Sequence, residues 1–123
     1  MVVSYASSPV AELIYAETPL EESPTGAITA DGTCWRQIEF AGILKGTPRR
    51  ALAEKFIDFL LSKSFQEDMP LQMFVFPVNS QAKLPEVFAN NVQIPENPAT
   101  LDPALIDANR EGWIEAWTEV VLK

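Results

Sequence analysis

The first nine residues constrain the fold most strongly, because they predict a strand that leads directly into a helix. Met1-Val2-Val3 is apolar and β-favouring, and Tyr5 adds an aromatic ring at the end of this stretch. Ser8 suits an N-cap and Pro9 the first helical position, where its missing N–H costs nothing. A helix N-terminus favours anionic or strongly polar groups. Three hydroxyl groups lie close by, those of Ser4, Ser7 and Ser8. The segment therefore predicts half of a small-molecule site.

The charge of the chain argues against a nucleic-acid partner. The formal net charge is −8, whereas binding to phosphate backbones requires clustered Lys and Arg. A solvated acidic surface explains this charge, which only weakly favours cationic ligands. At 123 residues, 47% of them hydrophobic, the chain has the size and composition of one folded globular domain.

The residue types argue against catalysis. The chain has no His and a single Cys, so it cannot supply a His-based triad, a Cys₂His₂ zinc site or a CxxC redox pair. Cys34 is expected to be a small, partly buried residue, since no imidazole can activate it. We therefore expect no enzyme activity, no metal and no cofactor. The acid–base pairs Glu39–Lys45 and Asp107–Glu111 are better explained as a strand-end charge and a solvated helix face.

Hydrophobic periodicity and capping residues predict an α/β chain. Strands are predicted over 1–6, 27–29, 35–44 and 74–78, with a turn at Asp31-Gly32. Helices are predicted over about 9–16, over 48–62 with Thr47 as the N-cap, and from the Asp102 cap to about 122. Shorter helical turns are predicted from Ser64 to before Pro70 and near 85–88.

Apolar stripes mark the two long helices. The first consists of Leu52, Phe56, Phe59 and Leu60, and the second, for which we expect core packing, of Ile106, Trp113, Trp117 and Val120. The apolar start, without a polar lead-in, and the thin core indicate a fragment of a longer protein. Neither a secretory signal peptide nor a membrane-spanning apolar run is found in the sequence.

Three pieces, taken in order, resemble the C-terminal part of periplasmic thiamine-binding proteins, the solute receptors of ABC transporters. They are Val2-Val3-Ser4-Tyr5-Ala6-Ser7-Ser8-Pro9; Trp35-Arg36-Gln37-Ile38-Glu39 with the helix at 53–60 and Ser64-Phe65-Gln66; and Phe74-Val75-Phe76-Pro77-Val78 with 113–117 near the end. The resemblance implies a type II periplasmic-binding fold, in which two α/β lobes joined by crossing strands hold ligand between them. Residues about 1–30 and 78–123 would belong to the second lobe and about 35–74 to the first.

The same resemblance implies ligand-binding residues. Tyr5, Ala6, Ser7 and Ser8 match the ligand-binding segment, with Tyr5 against the ligand ring and the hydroxyls at its polar end. Phe74 falls where thiamine receptors have a Trp, and Ala11 where some have a stacking Tyr. Trp35 is a further candidate, with core or hinge packing as the alternative.

The resemblance implies a binding protein, periplasmic or extracellular, that captures thiamine or a related solute and delivers it to the membrane permease of an ABC transporter. Whether it is anchored as a lipoprotein is left open. The same fold also binds iron, polyamines or sugars in related receptors, and a stand-alone interaction domain is a further alternative. As a truncated receptor, the isolated chain is expected to expose apolar surface and self-associate.

Overall fold

The computed structural model describes residues 1–122, which form five α-helices connected by long irregular segments. The helices are α1 (Ser8–Ile14), α2 (Arg50–Leu60), α3 (Lys63–Met73), α4 (Glu86–Asn91) and α5 (Pro103–Val121). Helix α1 packs on α4, and α2 packs on α3. These two helix pairs position the start of α1 and the end of α3, which border the site described below.

Side-chain capping bonds explain where two of the five described helices begin, α3 and α5. The Asp102 carboxylate accepts a hydrogen bond of 2.9 Å from the Ala104 N–H, so α5 begins as predicted. Helix α2 is shorter than the predicted 48–62, although the Thr47 hydroxyl accepts a 3.3 Å bond from the Arg49 N–H just before it. The predicted turn near 85–88 is a helix that continues to Asn91.

Helix α3 differs from its prediction at both ends. The Ser62 hydroxyl, and not that of Ser64, accepts the capping bond, from the Phe65 N–H at 3.4 Å. The helix also continues through Pro70 to Met73. Proline removes one intrahelical hydrogen bond, but the Pro70 side chain is fully buried, so packing offsets that loss.

The predicted strands are wrong for the part of the chain that the structure describes. Over residues 1–122 the only β-pairing is one isolated parallel bridge between Trp35 and Ala99, supported by a 2.7 Å bond from the Ala99 N–H to the Cys34 carbonyl. Alternating apolar residues favour extended backbone, but a strand also needs a partner for its N–H and C=O groups. The described architecture is therefore helical, and it does not confirm the α/β class.

The Asp31-Gly32 turn is confirmed and forms part of a contact between two distant segments. Gly32 has a φ of +73°, which glycine adopts without strain. Its N–H donates to the Asn97 carbonyl at 2.9 Å, and the Asn97 amide donates to the Asp31 carboxylate at 2.9 Å. Beside this contact, half-buried Cys34 donates its S–H to the Ile28 carbonyl at 3.3 Å, as expected of a structural thiol.

The core is small and aromatic. Val10, Phe88 and Pro70 are the largest fully buried side chains. The Phe88 ring lies 6.1 Å from that of Phe74 and 6.2 Å from that of Phe76, measured between centroids. These separations are typical of favourable aromatic pairs. This cluster joins α1 and α4 to the segment that follows α3.

Most of the remaining apolar surface is exposed. The accessible surface is 10364 Å², whereas a compact monomer of this mass exposes about 6,600 Å². The expectation that the α5 stripe packs in a core is wrong for residues 1–122, since Trp113 and Trp117 are 45% and 56% exposed. Phe56 and Phe59 of α2 are likewise more than half exposed. Much more apolar surface is accessible than a self-contained domain leaves in water.

Candidate ligand-binding groove

An open groove of about 290 Å³ lies between the start of α1 and the end of α3. It is lined by Tyr5, Ser7, Ser8, Ala11, Met73 and Phe74. Two aromatic rings and two hydroxyls therefore reach one concavity from parts of the chain that are far apart in sequence. No carboxylate or ammonium group is among these lining residues, so the wall is neutral and mostly apolar.

A tight turn places Tyr5 at the edge of the groove. The Ser8 N–H donates to the Tyr5 carbonyl at 3.0 Å, which folds the chain back just before α1. The Tyr5 side chain is 71% exposed, so its ring is available to a molecule that enters the groove. Exposed aromatic faces of this kind stack on planar ligands and attract cations.

The two serines of the groove have different environments. The hydroxyls of Ser8 and Ser4 lie 2.7 Å apart near the surface. Ser7, and not Ser8, occupies the N-cap position, but its side chain makes no capping bond. The Ser7 hydroxyl instead donates to the Phe74 carbonyl at 2.8 Å, and Ser7 is only 4% exposed. This bond ties the start of α1 to the end of α3.

Phe74 has an unusual backbone conformation for its residue type. It is the C-cap of α3, with φ 56° and ψ 31°, the left-handed region that glycine normally occupies at this position. Its N–H donates to the Pro70 carbonyl at 3.0 Å. The half-buried ring packs between Tyr15, at a centroid distance of 5.8 Å, and Phe88. Phe74 thus forms part of both the aromatic core and the groove.

The structure brings most of the predicted site residues together. Tyr5, Ser7, Ser8 and Phe74 line the same groove, while Ala6 lies half-buried in the turn between Tyr5 and Ser7. Trp35 is 55% exposed and forms a β-bridge with Ala99. It is not among the residues that line the groove.

Sequence reasoning missed Met73 as a lining residue. Met73 directly precedes Phe74 and is the last residue of α3, whose end lines the groove. The sequence predicts that this helix ends before Pro70, so it gives no reason to place Met73 at the groove.

Side chains of α3 hold the segment that follows Phe74. The Gln66 amide donates to the Leu60 carbonyl at 2.8 Å and accepts from the Val78 N–H at 2.7 Å. The Glu67 carboxylate accepts from the Lys83 N–H at 2.9 Å, and this bond is the main cause that lowers the pKa of Glu67 below its ordinary value. Lys63, with its Nζ 3.6 Å from the carboxylate, adds to the lowering.

A metal site is not formed by the described residues 1–122, in which no three His, Cys, Asp or Glu side chains come together in a suitable group. Aromatic faces, hydroxyls and a neutral apolar floor instead suit a small organic solute. The geometry supports binding by stacking and hydrogen bonding.

Comparison with known proteins identifies the family of the chain. The family described as bacterial extracellular solute-binding protein matches residues 20–108, well over half of the chain. The chain belongs to this family of solute-binding proteins. The family consists of binding proteins for transport, which agrees with the expectation of a binding protein.

Curated relatives of this solute-binding protein have a consistent description. Thiamine-binding periplasmic proteins of Escherichia coli K12 and Salmonella typhimurium LT2 are 27% and 29% identical over 98% of the chain, which covers 35% of each relative. The thiamine-binding periplasmic protein of Brucella suis is 28% identical over 95% of the chain and 34% of the relative. The chain thus spans about a third of the length of these relatives.

The periplasmic or extracellular location expected from the sequence agrees with the family and with these relatives. Among the helices described over residues 1–122, none has the length and apolar character needed to cross a bilayer. No solved structure matches this solute-binding protein.

Proposed function

We propose that this chain forms one wall of the ligand site in a receptor of an ABC importer, and that the receptor captures thiamine or a closely related solute and delivers it to the membrane permease. The observation that carries the proposal is the convergence of Tyr5, Ser8 and Phe74 on one groove. The similarity to thiamine-binding periplasmic proteins supports the choice of solute.

The groove chemistry fits a flat cation with a polar end. Thiamine carries a positively charged thiazolium ring, which aromatic faces such as those of Tyr5 and Phe74 attract. The hydroxyl of Ser8, which lines the groove and lies 2.7 Å from that of Ser4, would supply a hydrogen bond to this polar end. Phe74 offers less stacking area than a Trp, and Ala11 offers none, so a related solute with a smaller aromatic surface fits the proposal as well.

The remainder of a longer receptor would supply the opposite wall. The groove of about 290 Å³ is open, whereas small-molecule sites enclose about 300–1,000 Å³ and bury most of the ligand. We propose the type II fold of two α/β lobes, with about 1–30 and 78–123 in the second lobe and about 35–74 in the first. Closure of the lobes would then bury the solute between them.

Calorimetry with thiamine on the full-length receptor tests the proposal. Tyr5→Ala and Phe74→Ala should each weaken binding by about 10-fold, since each removes one stacking surface. Phe40→Ala is the matched control, because that ring is 88% exposed and lies outside the groove lining. The isolated chain should show no measurable binding. Tight binding by the isolated chain, or unchanged affinity in both groove variants, would contradict the proposal.

A thermal-shift screen of the full-length receptor distinguishes the alternative solutes. Iron, polyamines and sugars are tested beside thiamine, because a ligand that binds the native state raises its melting temperature. The neutral lining of the groove favours thiamine over polyamines, whose several ammonium groups call for carboxylates. A shift with one of these solutes and none with thiamine would replace the proposed ligand but keep the receptor role.

A further inference from the structure

The hydroxyl of Ser7 is committed to another part of the protein. It donates to the Phe74 carbonyl at 2.8 Å, across 67 residues of sequence, and Ser7 is 4% exposed. A hydroxyl in this position has its proton engaged and little access to a solute. The neighbouring Ser8, by contrast, is only half-buried, and its hydroxyl lies 2.7 Å from that of the exposed Ser4.

The acceptor of this bond is a strained residue. Phe74 has a φ of 56° and is the only described non-glycine residue, over 1–122, with a positive φ. The left-handed conformation is sterically unfavourable for an L-residue with a Cβ. Carbonyls at a helix C-terminus also lack intrahelical partners. The Ser7 hydroxyl satisfies the Phe74 carbonyl at the point where the chain leaves α3 in this left-handed conformation.

We propose that Ser7 is a positioning residue that acts on the ligand through Phe74. By holding the Phe74 backbone in the left-handed conformation, the Ser7 hydroxyl orients the Phe74 ring and fixes the spacing between the start of α1 and the end of α3. The two sides of the groove are thereby held at one width. This role rests on the proposed function for its effect on affinity, but the geometric coupling does not depend on the ligand.

A double-mutant cycle on the full-length receptor tests the coupling, with thiamine as the probe. Ser7→Ala should weaken thiamine binding by about 5- to 10-fold, the effect of one lost hydrogen bond. In the Phe74→Ala background, Ser7→Ala should cause no further loss, because the ring it orients is absent. The same fold-loss in both backgrounds would assign Ser7 to direct ligand contact, and a lowered melting temperature with unchanged affinity would assign it to structure alone. Either result overturns the inference.

A second measurement needs no ligand, so it separates failure of this inference from failure of the proposed function. The ¹³Cα chemical shift of Phe74, in receptor labelled selectively at phenylalanine, reports its backbone conformation. Ser7→Ala should move this shift away from its left-handed value, whereas Ser7→Thr, which keeps the hydroxyl, should retain it. Ser8→Ala is the control and should leave the shift in place. An unchanged Phe74 shift in Ser7→Ala would overturn the inference even in a receptor that binds thiamine.

Discussion

The side-chain oxygen of Gln66 accepts a 2.7 Å hydrogen bond from the main-chain N–H of Val78. The same amide group donates to the Leu60 carbonyl at 2.8 Å, so one side chain joins the end of α2 to the segment that follows α3. That segment includes Phe76, whose ring packs on buried Phe88. Gln66 therefore helps to position Phe76 in the aromatic cluster of Phe74, Phe76 and Phe88, of which Phe74 also lines the groove.

Replacement of Gln66 tests this link. Gln66→Leu removes both hydrogen bonds and should lower the free energy of unfolding of the full-length receptor by about 1–2 kcal/mol. Gln72→Leu is the matched control on the same helix, where the amide makes an exposed 3.2 Å bond to the Asp68 carboxylate. The control should change stability by less than about 0.5 kcal/mol. Urea denaturation measures both, and equal losses would contradict the special role of Gln66.

The lowered pKa of Glu67 predicts acid sensitivity of the same region. Because the carboxylate is favoured in the folded state, its contribution to stability is present above the ordinary glutamate pKa and is lost as pH falls through the lowered folded pKa. An NMR titration of the Glu67 carboxyl carbon should show this depressed pKa. Lys63→Gln should leave most of the depression, since the Lys83 N–H is its main cause. A full return of the pKa to its ordinary value in Lys63→Gln would show that the ion pair dominates.

Substitutions at Phe74 separate backbone strain from ring packing. Phe74→Ala and Phe74→Gly both remove the ring, but only glycine adopts a φ of 56° without steric cost. The glycine variant should therefore be more stable than the alanine variant by about 1 kcal/mol, the reverse of the usual order of these residues in helices. Thermal or urea denaturation of the full-length receptor measures the difference. An alanine variant as stable as the glycine variant would contradict this prediction and would indicate that the backbone at position 74 leaves the left-handed region when the ring is removed.

The exposed apolar face of α5 predicts self-association of the isolated chain. Arg110, Trp113, Ile114 and Trp117 line a shallow surface groove of about 270 Å³. Light scattering on the isolated chain should detect species larger than a monomer, because apolar patches of this kind associate in water. Trp113→Gln combined with Trp117→Gln should reduce their average mass, whereas Glu115→Gln, on a different side of the helix, should not. A monodisperse monomer would support a stand-alone domain instead.

Local signals predict that the described helices exist, but they do not predict all of their ends. Asp102 followed by Pro103 fixes the start of α5, and the apolar spacing of α2 fixes its existence, because capping and periodicity depend only on near neighbours. The prediction that the helix ends before Pro70 is wrong, since local sequence does not show that the Pro70 side chain is buried in the fold. The same limit applies to the predicted strands, whose pairing partners cannot be identified from local alternation.

The sequence predicts four of the residues that line the groove, Tyr5, Ser7, Ser8 and Phe74, but it misses Met73, adds Trp35 and does not give the geometry. The serine-rich turn before Pro9 marks a helix start from sequence alone, and the resemblance to solute receptors adds Phe74. Neither source indicates that the Ser7 hydroxyl points at the Phe74 carbonyl, or that Phe74 adopts a positive φ. Both features arise where α1 meets the end of α3, a contact between residues 67 positions apart.

The pairing of Asp31 with Asn97 bridges 66 residues and encloses α2, α3 and α4 in one large loop. Closing such a loop reduces the conformational entropy of the chain before the contacts that stabilise it have formed. Contacts between residues far apart in sequence therefore form slowly. We expect the helices within the loop to assemble first, and the junction beside Trp35 and Ala99 to form last and slowly as the chain folds. Until it closes, the chain remains vulnerable to proteases and a candidate for chaperone binding.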